Sequence, residues 1–324
     1  MYFTSTGMVA PCWRLPSFGD IWSESRSIKE IWTGDIFERY RTALHHNNYI
    51  HGCQICKRDN DCGIFTLSDN YDPYTVKEYP SLIELELSNQ CNLECIMCNG
   101  FLSSGIRKNR DKLPPLPMIY TQKFKEELKE FIPHLEEIRF NGGEPLAQKM
   151  VLEICEMIPK LNQNMIIKFA TNGSVYNKRI QKILDTCRVQ ADFSIDSFIP
   201  DRYESIRING KLNKVLKNLE IFDKIMKKNG LTMIVFFNPM INNWDEMVDA
   251  AKICDDYDIK LWFNTIIRPA YLSIKNKPIS VMENIYKEIN EQMENYSPKS
   301  KNYNVIDNFL NSLEQWMIDA KCSV

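Results

Sequence analysis

The 324-residue sequence predicts an α/β fold, a curved sheet of parallel βα units. Three observations predict it. From about residue 82 onward strand-like runs alternate with segments of helical spacing. The strand-like runs number six, and 44% of the residues are hydrophobic, enough for one large domain and an appendage. Six units point to a partial (βα)6 TIM-like barrel rather than a closed eightfold one.

The six runs are "LIELELS" (82–88), "EIRFN" (137–141), "MIIKFAT" (165–171), "ADFSID" (191–196), "TMIVFFN" (232–238) and "IKLWFNTI" (259–266). Between them, "QKMVLEICEMIPKL", "NKRIQKILDTC", "VLKNLEIFDKIMKKNG" and "WDEMVDAAKICDDY" carry helical spacing. The expected organisation is a small cysteine-bearing module over 1–75, the barrel over 81–270 and a helical extension over 271–324. The first segment is rich in turn residues, holds three of the six tryptophans, and contains one expected helix at "SIKEIWTGDIFERYRTAL". "SDNYDPYTVKEYP" (68–80) reads as a linker. "SVMENIYKEINEQME" and "VIDNFLNSLEQWMID" read as two terminal helices, and there is no internal repeat.

A formal charge of -2 gives no electrostatic case for nucleic acid or an anionic membrane as partner. The opening "MYFTSTGMVAPCWRL" lacks the charged and apolar regions of a secretion signal, and no stretch approaches about 18 apolar residues. A soluble cytoplasmic protein is the expectation. In that compartment clustered cysteines mean metal more often than disulfide. Of eleven cysteines, seven fall in the first 98 residues: Cys12, Cys53, Cys56, Cys62, Cys91, Cys95 and Cys98. Cys155, Cys187, Cys254 and Cys322 are scattered, and Cys322 reads as a free thiol.

The stretch "LSNQCNLECIMCNG" (87–100) spaces Cys91, Cys95 and Cys98 as CxxxCxxC directly after the first strand, at the sheet edge where α/β folds place their chemistry. A closed zinc or iron–sulfur site uses four thiolates. Three leave one metal position open to a substrate or cofactor.

The loop resembles the signature of the radical S-adenosylmethionine (radical SAM) enzymes. The resemblance extends to "NGGEP" (141–145) after the second strand, "ATNGS" (170–174) after the third, and "FSIDS" (193–197) followed by "ESIRI", over about residues 81–270. It implies a 4Fe-4S cluster on Cys91, Cys95 and Cys98 whose open iron binds S-adenosylmethionine. It also implies cofactor contacts from Gly142, Gly143 and Glu144, and from Asn172, Ser194 and Arg207. Met97, where the family often has an aromatic residue, would cover the adenine. Reductive cleavage of the sulfonium would give a 5'-deoxyadenosyl radical that takes hydrogen from a substrate, with electrons from a low-potential donor such as flavodoxin or ferredoxin.

Cys53, Cys56 and Cys62 in "CQICKRDNDC", with Cys12 in "GMVAPCW", resemble the SPASM or twitch module that carries auxiliary iron–sulfur clusters in such enzymes. Here the module precedes the barrel, and Thr66 stands where the full form has a further cysteine. The expectation is one auxiliary 4Fe-4S cluster on Cys12, Cys53, Cys56 and Cys62, with zinc as the alternative on the same thiolates. Enzymes with such modules often modify peptides or proteins, and others act on small metabolites. The polar segment "LSSGIRKNRDKLPPLPMIY" favours a peptide by offering a lining for an extended groove. A non-catalytic iron–sulfur electron carrier or a zinc-binding scaffold would have no use for Glu144.

Overall fold

A computed structural model describes residues 1–15, 19–61 and 78–322. They fall into two compact units, the first made of 1–92, 100–170 and 177–189, the second of 93–99, 171–176 and 190–324.

The first unit opens with three short strands, β1 (Tyr2–Phe3), β2 (Met8–Ala10) and β3 (Asp20–Ile21). Helices α1 (Ile28–Trp32), α2 (Asp35–His45) and α3 (Gln54–Asp61) follow. Then come β4 (Leu82–Leu85), α4 (Ser104–Asn109), α5 (Gln122–Phe131), β5 (Glu137–Phe140), α6 (Lys149–Leu161), β6 (Ile166–Thr171) and α7 (Lys178–Thr186). β4, β5 and β6 are parallel neighbours, with Leu85 opposite Phe140 and Phe140 opposite Phe169. β1 lies parallel to β4, with Tyr2 opposite Glu84, and antiparallel to β2. The N-terminal segment therefore adds strands to the same sheet instead of standing apart from it. An aromatic cluster holds it there. Phe3 and Trp22 each sit 5.4 Å from Phe124 of α5, and the Trp22 indole donates to Glu127 at 3.0 Å.

One expectation is corrected in this region. "SIKEIWTGDIFERYRTAL" forms two helices, not one. α1 starts in a capping box between Ser27 and Glu30 and stops at Trp32, where Thr33 turns its N–H and hydroxyl back to the Lys29 carbonyl. Gly34 then takes an extended conformation as the N-cap of α2. A Cβ there would meet the Glu30 carbonyl at 2.9 Å, so the Thr-Gly pair marks a break that helical spacing alone hides. Cys62, Thr66 and most of the expected linker over 68–80 lie outside the described residues.

The second unit holds β7 (Arg188–Ser194), α8 (Pro200–Ile206), α9 (Leu212–Lys228), β8 (Ile234–Phe237), α10 (Met247–Asp256), β9 (Lys260–Phe263), α11 (Ile279–Met293) and α12 (Tyr303–Cys322). Its strands are parallel in the order β7-β8-β9. Asn302 ties the terminal helices to β9: it accepts from Leu261 N at 2.7 Å and donates to the Ile259 carbonyl and the Asp255 carboxylate.

The fold class is the expected one, α/β with six successive parallel βα strands of TIM-like type. Each expected strand is present, though most are shorter than the β-rich run, because the last residues of the run turn into the loop that follows. Among the described residues no helix is long and apolar enough to cross a membrane.

Candidate active site

In the first unit, the loop after β4 is fixed by its own polar side chains. Asn89 donates from its amide to the Gly100 carbonyl at 2.9 Å and accepts at its backbone oxygen from Ser104 N at 2.7 Å. The Cys91 N–H donates to the Ser104 hydroxyl at 3.3 Å. Against this loop lies the turn after β5. Gly142 and Gly143 have φ of +70° and +52°, a left-handed conformation that glycine adopts without cost. A Cβ at Gly143 would meet the Gln90 carbonyl oxygen at 2.3 Å, and one at Gly142 would meet the Glu86 side chain at 2.9 Å. Glu144 N donates to that same Gln90 carbonyl at 2.8 Å. The two glycines thus let the turn after β5 rest on the backbone next to Cys91. The Glu144 side chain is 0% exposed and accepts from Leu146 N at 3.1 Å.

Glu86, against which Gly142 packs, directly follows β4. Burial pushes its carboxyl above the usual range, a hydrogen bond from Tyr2 pulls it back, and Glu84 pushes it up again.

In the second unit, the segment 93–99 is stitched to the end of α8 by two backbone bonds, Glu94 N to the Ile208 carbonyl and Ile96 N to the Ile206 carbonyl, both 3.0 Å. Cys95 is buried, while Cys98 is half-buried with its N–H on the Cys95 carbonyl at 3.0 Å. Met97 and Ile96 pack on a cluster of Ile206, Met240 and Leu272. Arg207, 6% exposed, points a guanidinium N–H at the Cys95 sulfur at 3.8 Å and pairs with Asp196 at 2.6 Å. Burial alone would lower its pKa, yet Asp196 and Cys95 hold it raised, so it stays charged. Asn172 is buried and accepts from the Ser174 N–H at 2.9 Å and hydroxyl at 2.6 Å. Gly173, with φ of +69°, offers its carbonyl to Asn218 at 2.7 Å. Ser194 closes β7 and is half-buried.

The N-terminal thiols Cys12 and Cys53 share an apolar cluster with Tyr2, Ala10, Leu15 and Tyr40. Burial, then the neighbouring Cys53 and Cys56 thiols, push Cys12 up to about 11 despite a backbone hydrogen bond that lowers it. Of the four thiols expected in the auxiliary site, Cys12 and Cys53 thus share one cluster, and Cys62 lies outside the described residues. Among the described residues no three His, Cys, Asp or Glu side chains converge as a single bound ion would require.

In the second unit the donor chemistry fits iron–sulfur ligation: the sulfurs of Cys95 and Cys98, with a cationic donor beside Cys95. Two features were not singled out from the sequence. Asp196 stands inside "FSIDS", where a carboxylate at a strand end was the available signal. Asn243, which holds the Asp196 backbone, had no signal at all.

Comparison with known proteins identifies a family. The family described as Radical SAM superfamily matches residues 85–254, and the SPASM iron-sulfur cluster-binding domain matches residues 1–57. A GTP 3',8-cyclase of Clostridium botulinum is 28% identical over 183 residues, 56% of this chain and 54% of that protein. The chain thus spans about half the length of the curated relatives it matches. Among solved structures, SuiB of Streptococcus suis bound to precursor peptide SuiA has a TM-score of 0.48 at 10% identity, over 80% of this chain and 59% of that one. Native anSMEcpe with bound AdoMet has a TM-score of 0.46 at 18% identity, over 66% and 61%.

Proposed function

Because this chain belongs to the radical SAM superfamily, we propose that it binds a 4Fe-4S cluster through Cys91, Cys95 and Cys98 and modifies a peptide or protein. Bound there with S-adenosylmethionine, the cluster would supply a 5'-deoxyadenosyl radical that abstracts hydrogen from the substrate. The observation that carries the reading is the docking of Gly143 and Glu144 on the Gln90 carbonyl, next to Cys91. That contact fixes an acid and a glycine turn beside a thiolate loop, an arrangement an electron carrier does not need.

The chain's own residues then have distinct tasks. Glu144 would accept a hydrogen bond from the cofactor's ammonium alongside the one from Leu146 N–H, since a carboxylate accepts several bonds. Met97, seated on Ile206, Met240 and Leu272, would cover the adenine. Asn172, Ser194 and Arg207 would contact the remaining polar groups of the cofactor. Cys12, Cys53, Cys56 and Cys62 would hold one auxiliary cluster able to accept or relay an electron, and a flavodoxin or ferredoxin would supply the low-potential electron.

A peptide substrate is supported by the matched N-terminal module and by the stretch after α4, where Leu113 and Met118 are exposed in a proline-rich run. The test is anaerobic incubation with S-adenosylmethionine, dithionite and a peptide encoded beside the gene. The expected result is a mass loss of about two hydrogens in the peptide, with label from a deuterated substrate carbon in 5'-deoxyadenosine. A second reading, a small metabolite as substrate, is favoured by the GTP 3',8-cyclase relatives. Label transfer from a nucleotide while every neighbouring peptide stays inert would establish that reading instead.

A further inference from the structure

We propose that Arg207, held by Asp196, is a positioning residue that donates to the Cys95 sulfur and raises the reduction potential of the cluster Cys95 would ligate. This rests on the cluster assignment above.

The geometry is that of a donor aimed at sulfur and not only of an ion pair. One terminal nitrogen of Arg207 meets Asp196 at 2.6 Å, and the other lies 3.8 Å from the Cys95 sulfur. The third nitrogen, Nε, is buried and has no hydrogen-bond acceptor among the described residues. Burying a guanidinium is costly, and its five N–H groups need acceptors beyond a single carboxylate. Here the fork is split between an anion and a thiol, which fixes the plane of the group.

Asp196 is itself over-determined. Its Oδ1 accepts from Asn238 N at 2.8 Å and from the Asn238 amide at 2.7 Å, and its backbone carbonyl accepts from Asn243 at 2.8 Å. Asn243 also accepts from Met240 N at 2.6 Å and donates to the Asn238 carbonyl at 3.1 Å. Both Asp196 and Asn243 are 0% exposed. A rigid loop after β8 thus sets the carboxylate, the carboxylate sets the guanidinium, and the guanidinium reaches the sulfur.

The consequence follows from charge. A one-electron reduced cluster carries one more negative charge than the oxidised one, so an adjacent cation and an N–H···S bond stabilise the reduced form more. Asp196 opposes this, but it lies one group farther from the sulfur and offsets only part of it.

The test is the midpoint potential of the reconstituted protein, followed by EPR without S-adenosylmethionine so that cofactor contacts do not enter. Arg207→Met alone would leave a buried carboxylate unpaired, so the informative variant is the neutral pair Asp196→Asn with Arg207→Met. It should retain iron and lower the reduced-to-oxidised ratio at the wild-type midpoint by about tenfold, 59 mV for one electron. Arg207→Lys keeps a cation beside Asp196 without the fork and should fall between. An unchanged midpoint in the iron-loaded double variant overturns the inference, while cofactor cleavage by the unsubstituted protein leaves the function standing. Wild-type protein that loads no cluster would instead remove the function.

Discussion

At the residue scale, Gly143 and Glu144 carry the most specific demands. Gly143 holds a left-handed conformation that costs a non-glycine residue about 1–2 kcal/mol, and its Cβ would strike a backbone carbonyl that no side-chain rotation can move. Gly143→Ala should therefore displace the turn from Gln90, lowering thermal stability and cofactor affinity together; a variant that melts and binds like wild type would refute the docking argument. Glu144→Gln keeps the shape and removes the charge. Charge-assisted bonds contribute about 1.5–3 kcal/mol, so the dissociation constant for S-adenosylmethionine should rise about ten- to a hundredfold by calorimetry, and an unchanged constant would leave Glu144 only its cap on Leu146. The motif "NGGEP" announced these residues. It did not announce why two glycines are needed, because the atoms they avoid come from Glu86 and Gln90, more than fifty positions earlier.

At the element scale, the N-terminal segment is the least legible part. Strands of two or three residues show no period-two pattern, so nothing marked Tyr2–Phe3 as a neighbour of β4. The attachment is held by aromatic side chains: Trp22 is 1% exposed, packs on Tyr120 and Phe124, and donates to Glu127. Trp22→Ala opens a large cavity and orphans part of that carboxylate's bonding, and should cost about 3–5 kcal/mol in chemical denaturation. A loss below about 1 kcal/mol would mean the segment is not part of the cooperative unit. The split of α1 from α2 was missed for a related reason: apolar residues keep helical spacing across Thr33 and Gly34, and only backbone packing shows the interruption.

At the scale of the whole molecule, the proposed ligation divides the cysteines between two clusters. Replacing Cys91, Cys95 and Cys98 by Ala should abolish formation of 5'-deoxyadenosine and leave about four irons of an expected eight or so per chain. Replacing Cys53 and Cys56 should also leave about four irons, yet cofactor cleavage should persist while substrate turnover is lost. Deoxyadenosine from the triple variant under dithionite would contradict the assignment.

The sequence by itself determined the six βα strands, the three-cysteine loop and the glycine–acid turn. Each is written in local pattern: period, spacing, or a short motif at a strand end. Only the tertiary structure decided that β1 continues the sheet at β4, that Gly143 and Glu144 rest on Gln90, and that Asp196 aims Arg207 at Cys95. Those facts depend on contacts between residues far apart in the chain, and a single sequence carries no period or spacing that encodes which distant pair will share a hydrogen bond.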